Sequence, residues 1–541
     1  MAIGAGLAAS PIAAQSLPSA DPVIKAIWNE GMDQSQTWTL GQALLDSIGP
    51  RLTGTPGMKA GNDWLVRMYS SWGISARNER YGTWNEWRRG ITHIDLLAPR
   101  VRTLEGGMQA WSPGTGGRDV IGAAITLPDV ADSAAFVAWL PRARGQFVLI
   151  AFAEPTCRPN DEWQLLGSPG SFQRMDSARA RARVTWNERV RRTGYSAGLG
   201  AGTLGRRLGE AGAAGVITTR WDNNGWGTRR VFGDMRQVVP AIELSCEDYG
   251  LVFRLADRNQ LPTLRLRAES EMGPEVPVFN TIAEVKGSEK ANEYVMLSAH
   301  FDSWDGGSGA TDNGTGTLVM LEAMRILKKV YPNPKRTIIA GHWSGEEQGL
   351  NGSRAWAEDH PEVVRGLQAL FNQDNGTGRI VNLSSSGLST ASGNLARWMS
   401  KIPAEIAQFV NLGFPGSPSG GGSDNASFIC YGAPAFSLGA LGWDYGGYTW
   451  HTNRDTFDKI VFDDINNNAT LTAMLVYLAS EEPEMLSRER RAFEVGDSPA
   501  AMAMRGGRGG RGGGRGGAGG GRGQTWPQCT APLRSASQYA R

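Results

Sequence analysis

A chain of 541 residues is too long for a single compact core, so two or more folded units are expected. Aliphatic and aromatic residues make up 40% and charged residues 20%, a globular composition that excludes disorder along the whole length. The 55 basic and 53 acidic side chains nearly cancel to a formal charge of +2, which excludes a strong overall field toward nucleic acid or anionic lipid.

Residues 1–14, MAIGAGLAASPIAA, are small, apolar and uncharged, and end in an Ile12-Ala13-Ala14 run acceptable to a signal peptidase. A basic n-region is missing, yet the stretch is too short and too rich in Gly and Pro to cross a bilayer. Export through a cleaved signal is therefore the expectation, and no later apolar run reaches the length of about eighteen residues that a membrane span needs. Residues 22–117 read as the first part of a catalytic domain. Its pattern is helical up to about Ser75, with WLVRMYSSWGI amphipathic and the turn residues of IGPRLTGTPG separating two helices.

Residues 118–272 change texture and read as a β-rich insertion. GQFVLIAFAE, AGAAGVITT and VPAIELS are the expected strands, with a helical LGRRLGEA before the second. Over 273–485 strands and helices alternate as in a doubly wound α/β sheet: EYVMLSAH, RTIIAGHW and LQALFNQD are predicted strands and TLVMLEAMRILKKV a helix. Leu471, Met474, Leu475 and Leu478 mark a last amphipathic helix. Residues 498–541 are expected to be a disordered tail, because RGGRGGRGGGRGGAGGG, from Arg505 to Gly521, has almost no apolar side chains to bury. RGG tracts can bind RNA, but the solvated reading is preferred, so nucleic acid is not an expected partner. Cys157, Cys246, Cys430 and Cys529 are too few for a disulfide framework or a thiolate metal cage. Idle thiols are favoured over a single bridge, for which Cys157 and Cys246 are the candidates.

Chemistry concentrates at the predicted strand ends. His300 closes one strand, and Asp302 two residues on can accept the second imidazole N–H. Asp312 lies in the Gly-rich turn GATDNGTG before a helix. RTIIAGHW runs into Glu346-Glu347, two adjacent acids that make sense as a base beside a ligand. The next strand ends at Asp374, and a later turn supplies His451 in YTWHTNRDTFDK. Four strand ends or following turns thus present metal-type ligands at one edge of a sheet, where open α/β folds bind. His93, His342 and His360 have no such pattern and read as structural, and Trp450 reads as packing.

HFDSWDGGSGATDNGTG, EEQG, NQDNG, GGGSDNASF and WHTNRDT, in that order, resemble the co-catalytic di-zinc aminopeptidase family, and within it the carboxypeptidase Q (plasma glutamate carboxypeptidase) branch. The likeness includes IGPRLTGTPG and runs from Pro22 to residue 485, with the insertion similar to a protease-associated domain. It implies one metal on His300, Asp312 and Asp374 and another on Asp312, Glu347 and His451, with Glu346 as general base and Asp302 orienting His300. It also implies a cis peptide after Asp312. Asn425 departs from the family, where a larger residue or His is frequent. Two Zn²⁺ suit such mixed N and O ligation, with Mn²⁺ or Co²⁺ as substitutes. A bridging water activated by the ions, its proton taken by Glu346, would attack the scissile carbonyl of a peptide or dipeptide. The Gly-rich loop Ser419 to Asp424 would offer backbone N–H groups to the far carboxylate of a dipeptide. A homodimer is allowed by this reading. The rival readings are a non-catalytic, receptor-like binding module and another amide hydrolase or a glutaminyl cyclase; the complete ligand set favours the peptidase.

Overall fold

The computed structural model describes residues 20–197, 203–221, 225–416, 422–491 and 526–539. The signal-like segment 1–14, the Arg-Gly tract 505–521 and residues 419–421 of the Ser419–Asp424 loop lie outside the described residues.

Numbered along the chain, the strands are β1 (Ser75–Ala98), β2 (Arg102–Thr103), β3 (Gly106–Met108), β4 (Val120–Thr126), β5 (Phe147–Leu149), β6 (Gly215–Thr218), β7 (Ala241–Leu244), β8 (Thr263–Val285), β9 (Lys290–His300), β10 (Arg336–Trp343), β11 (Leu367–Asn372), β12 (Ile380–Ser384), β13 (Asn411–Gly413) and β14 (Ala435–Ala440). They join in the order β13-β12-β14-β11-β9-β10-β8-β4-β5-β6-β7-β3, with β1 paired to β8 and β2 to β1. The centre β10-β9-β11-β14 is parallel, and its neighbours β8 and β12 are antiparallel to it, so the sheet is mixed.

Near-continuous apolar runs suit strands covered on both faces. In β9, Val295, Leu297 and Ala299 enter one core with the helices Thr315–Val330 and Phe462–Glu481, while Met296 enters another with Trp356 and Phe428. Ile338 and Ala340 of β10 likewise part from Ile339 and Trp343, as the period-two pleat demands. The insertion repeats this two-faced plan: Phe147 and Leu149 face one core, while Val148 joins Phe136, Trp186 and Leu208 on the other. Helices separate β4 from β5 and β5 from β6, the longest spanning Ser171–Arg192, and another follows β7, so the strand-rich insertion carries an α/β texture among the described residues. No loop marks the expected boundary at 272. β8 runs through it as one strand, pairing with β4 at one end and β10 at the other.

Two disulfides form, Cys157–Cys246 and Cys430–Cys529, where idle thiols or a single bridge were expected. The second also corrects the tail: residues 526–539 pack on the body instead of being disordered. Trp526 stacks under Arg490, Arg534 pairs with Glu358 and Asp359, and Tyr539 meets Trp84. The low-complexity composition of the Arg-Gly tract gives no sequence signal for what the segment beyond it does. Among the described residues no helix is long and apolar enough to cross a membrane.

Candidate metal centre

Parallel register places three of the sites side by side. His300 of β9 lies opposite Trp343 of β10, which leads into Ser344-Gly345-Glu346-Glu347. Asn372 of β11 lies opposite Ser298 of β9 and leads into Gln373-Asp374. The C-terminal ends of adjacent strands therefore deliver His300, Glu346-Glu347 and Asp374 to one edge. Asp312 arrives from the β9 connection and His451 from the loop after β14.

The structure brings all five expected ligands together in two groups that share one member. His300, Asp312 and Asp374 form one group and Asp312, Glu347 and His451 the other, the ligand atoms of each within 4.8 Å of one another. His300 Nε2 lies 3.2 Å from both Asp312 Oδ1 and Asp374 Oδ1. His451 Nε2 lies 3.0 Å from Asp312 Oδ2 and 2.9 Å from Glu347 Oε2. One imidazole nitrogen carries at most one proton and cannot donate well to two oxygens at once. The donors converge instead on two points, with Asp312 offering one oxygen to each. A cavity of about 10 Å³ lies among Trp304, Asp312, Glu347, His451 and Asp455, and Glu347 Oε1 is buried without a hydrogen-bond partner among the described residues. Two imidazoles and three carboxylates so arranged fit divalent cations that accept mixed N and O ligands.

Electrostatics agree with that fit. Burial opposes charge on His300, but Asp374, Glu346 and Asp312 outweigh it and hold the imidazole well above its ordinary pKa. Burial, aided by Asp374, Glu347 and Asp424, pushes Glu346 far above the carboxylate range, against the pull of His300. Burial also raises Glu347 to about 7, and Asp312 adds to the shift against His451. Asp312 moves the other way, its burial overridden by hydrogen bonds from His300 and His451. So many crowded acids call for cations. Glu346 makes no side-chain hydrogen bond among the described residues, which leaves its carboxylate free for a proton.

The expected role of Asp302 is altered. Its backbone carbonyl, not its carboxylate, meets His300 Nδ1, at 3.0 Å against 3.8 Å. The carboxylate instead accepts the backbone N–H groups of Glu346 and Glu347, at 3.2 and 3.3 Å. Asp302 therefore holds the turn that aims both glutamates. His451 Nδ1 has no hydrogen-bond partner among the described residues, and the ring is fixed by packing: Trp450 stacks at 3.9 Å and Phe232 meets it edge-on at 5.2 Å. Phe232 belongs to the insertion, and the neighbouring Val231 N–H donates to the His451 carbonyl at 2.8 Å.

Two residues of the site were missed by sequence reading. Asp455 grips the bridging turn, accepting from Thr311 N at 2.6 Å, Thr311 Oγ1 at 2.8 Å and Asp312 N at 3.0 Å. Arg51, fully buried, donates to the carbonyls of Gly49, Phe301, Ser308 and Gly309 and pins the loop between β9 and Asp312. Both stand inside quoted motifs, IGPRLTGTPG and WHTNRDT, but a residue that binds backbone carries no spacing signal. The Asp312–Asn313 peptide is cis, as the resemblance implied. A Cβ on Gly316 would come within 2.3 Å of Asn313 Oδ1 and 2.4 Å of the Gln373 carbonyl, so only glycine fits beside this turn. Asn425 is buried with its Nδ2 unpartnered among the described residues. His342 is buried against Tyr69, and His360 pairs with Glu79.

Residues 280–476 match the model of Peptidase family M28. Among individual proteins, carboxypeptidase Q of Rattus norvegicus is 30% identical over 254 residues, covering 46% of this chain and 52% of the relative. Carboxypeptidase Q of Homo sapiens gives the same identity and coverage. The matched segment thus spans about half the length of these relatives. The fold is shared with a peptidase M28 precursor from Shewanella amazonensis, at a TM-score of 0.63 and 24% identity over 87% of this chain and 98% of that one. It is shared as well with a zinc aminopeptidase from Bacillus subtilis, at a TM-score of 0.53 and 18% identity over 84% and 96%.

Proposed function

We propose that the chain is an exported zinc exopeptidase that hydrolyses the peptide bond next to a free terminus of a peptide or dipeptide. His300, Asp312 and Asp374 hold one ion; Asp312, Glu347 and His451 hold a second. When bound, the ions supply Lewis acidity, polarising the scissile carbonyl and making water more acidic. Glu346 accepts the proton of the attacking water and returns it to the departing amine nitrogen, a task suited to a carboxylate with no competing partner. Asp302 keeps Glu346 and Glu347 at their angles through the two backbone N–H groups it receives. The aromatic wall of Trp304, Phe232 and Trp450 fixes His451. Two disulfides support the placement outside the reducing cytosol. The insertion acts as a protease-associated-like wall on the His451 side.

The observation that carries this reading is the single carboxylate, Asp312, set between two imidazoles at 3.2 and 3.0 Å. Dipeptides and aminoacyl anilides assayed on wild type and Glu346→Ala, with zinc measured in both, provide the test. The variant is expected to keep its metal and lose about 10²–10⁴-fold in turnover, the usual worth of a general base. A near-normal rate in Glu346→Ala would overturn the assignment, and wild type without bound metal would overturn the class.

A further inference from the structure

A second cavity, of about 320 Å³, is not used by the catalytic reading. Its floor is Leu350, Arg354, Ala426, Ser427 and Tyr431; its roof is the C-terminal strap, Pro527 to Thr530, clipped down by Cys430–Cys529. The volume is at the lower end of the range for small-molecule pockets, about 300–1,000 Å³. The floor is tied to the turn that carries Glu346 and to Asp424. Leu350 N–H donates to the Glu346 carbonyl at 2.9 Å, and Ser427 N–H to the Asp424 carbonyl at 3.0 Å.

Arg354 carries the charge. On a helix its natural partner is the acid four residues on, Glu358. The strap has taken that acid: Arg534 pairs with Glu358 at 2.9 Å and with Asp359 at 2.8 Å. The Arg354 guanidinium is left with no acidic partner among the described residues, and Arg354 lines the cavity together with the polar residues Tyr431, Gln528 and Thr530 and the apolar Leu350 and Ala426. A planar cation with surplus donors is the group that grips a carboxylate.

We propose that this cavity binds the free α-carboxylate of a peptide or amino acid, with Arg354 as the anchoring cation. The carboxylate has two sources, the far end of a bound substrate or a released amino acid. The first rests on the peptidase reading; the second does not.

The test uses the full, zinc-loaded chain and N-acetyl-leucine, with N-acetyl-leucinamide as the probe lacking the charge. Calorimetry is expected to show the acid binding about tenfold tighter than the amide in wild type, with the preference abolished in Arg354→Gln and restored in Arg354→Lys. Gln528→Glu, an exposed change on the strap, sets a negative charge at the roof and is expected to weaken the acid about tenfold while leaving the fold intact. A parallel fall in the ratio of kcat/KM for a dipeptide over its C-terminal amide identifies the substrate's far end as the occupant. An unchanged ratio with lost inhibition by free leucine identifies the released amino acid. Acid binding that Arg354→Gln and Gln528→Glu leave untouched would overturn the site. If Glu346→Ala keeps full hydrolysis while Arg354→Gln loses the acid, the catalytic assignment falls and the carboxylate site stands.

Discussion

Burial alone, with no acid nearby, lowers the pKa of His342 to about 3, and the neutral ring shares a 2.7 Å hydrogen bond with the Tyr69 hydroxyl. The unfolded chain binds a proton at this residue below about 6.5 while the folded chain refuses it. Its contribution to stability is complete above pH 6.5 and is lost as pH falls toward 3, by about 1.4 kcal/mol per unit. Denaturant melts of wild type and His342→Gln between pH 4 and 7 are expected to show a shallower acid slope in the variant; parallel slopes would refute the assignment. His342 stands on β10 only four residues before Glu346, yet its chemistry is opposite. One is neutral and sealed in a core, the other faces a cluster of acids.

At the scale of elements, the site depends on two tethers that hold loops rather than ions. Asp455 binds the 311–312 backbone to the His451 loop, and Asp455→Ala is expected to weaken zinc binding about 10–100-fold, the range for lost outer partners of metal ligands. Competition with a chelator measures it, and unaltered affinity would remove Asp455 from the positioning role. Arg51 holds the 301–309 loop through its fork, and a lysine cannot reproduce four carbonyl contacts from a single nitrogen. Arg51→Lys is therefore expected to be destabilised by about 2–5 kcal/mol, from the buried carbonyls it leaves unpaired, as read by its melting transition. The β1–β8 ribbon shows why a long element escaped the sequence. Its buried residues Tyr81, Trp84, Trp87, Ile94 and Leu96 lose period two because bulges interrupt the pairing between Arg80 and Gly82, Asn85 and Trp87, and Arg89 and Thr92.

For the whole molecule, one sheet runs from the strands that carry the metal centre through β8 to β4–β7, while residues 526–539 bridge the two sides on the outside. Tyr539 reaches both Trp84 of the ribbon and Arg236 of the insertion. Cys430–Cys529 closes a span of 99 residues, and removing such a cross-link releases chain entropy in the unfolded state. Cys430→Ser with Cys529→Ser is expected to lose about 2–4 kcal/mol of stability against denaturant. A melt identical to that of the oxidised wild type would show that the strap holds by packing alone.

Local pattern determined much of this protein. β10 begins and ends at the residues of RTIIAGHW, and His300 ends β9 while Asp374 follows β11 by two residues, because apolar runs stop where backbone must meet solvent or ligand. The motifs from His300 to His451 named the metal-type side chains in order. Tertiary structure decided what those side chains face. Tertiary packing set His300, Glu346-Glu347 and Asp374 side by side through the register of β9, β10 and β11, brought Asp312 and His451 in from their loops to donor distances of 2.9 to 3.2 Å, turned the Asp302 carboxylate toward the glutamate turn and set Phe232 against His451. It also paired Cys430 with Cys529 and deprived Arg354 of its helical partner. Helix and strand periods are properties of neighbouring residues, whereas contacts across a hundred or more residues depend on how the layers pack, and no local spacing encodes that.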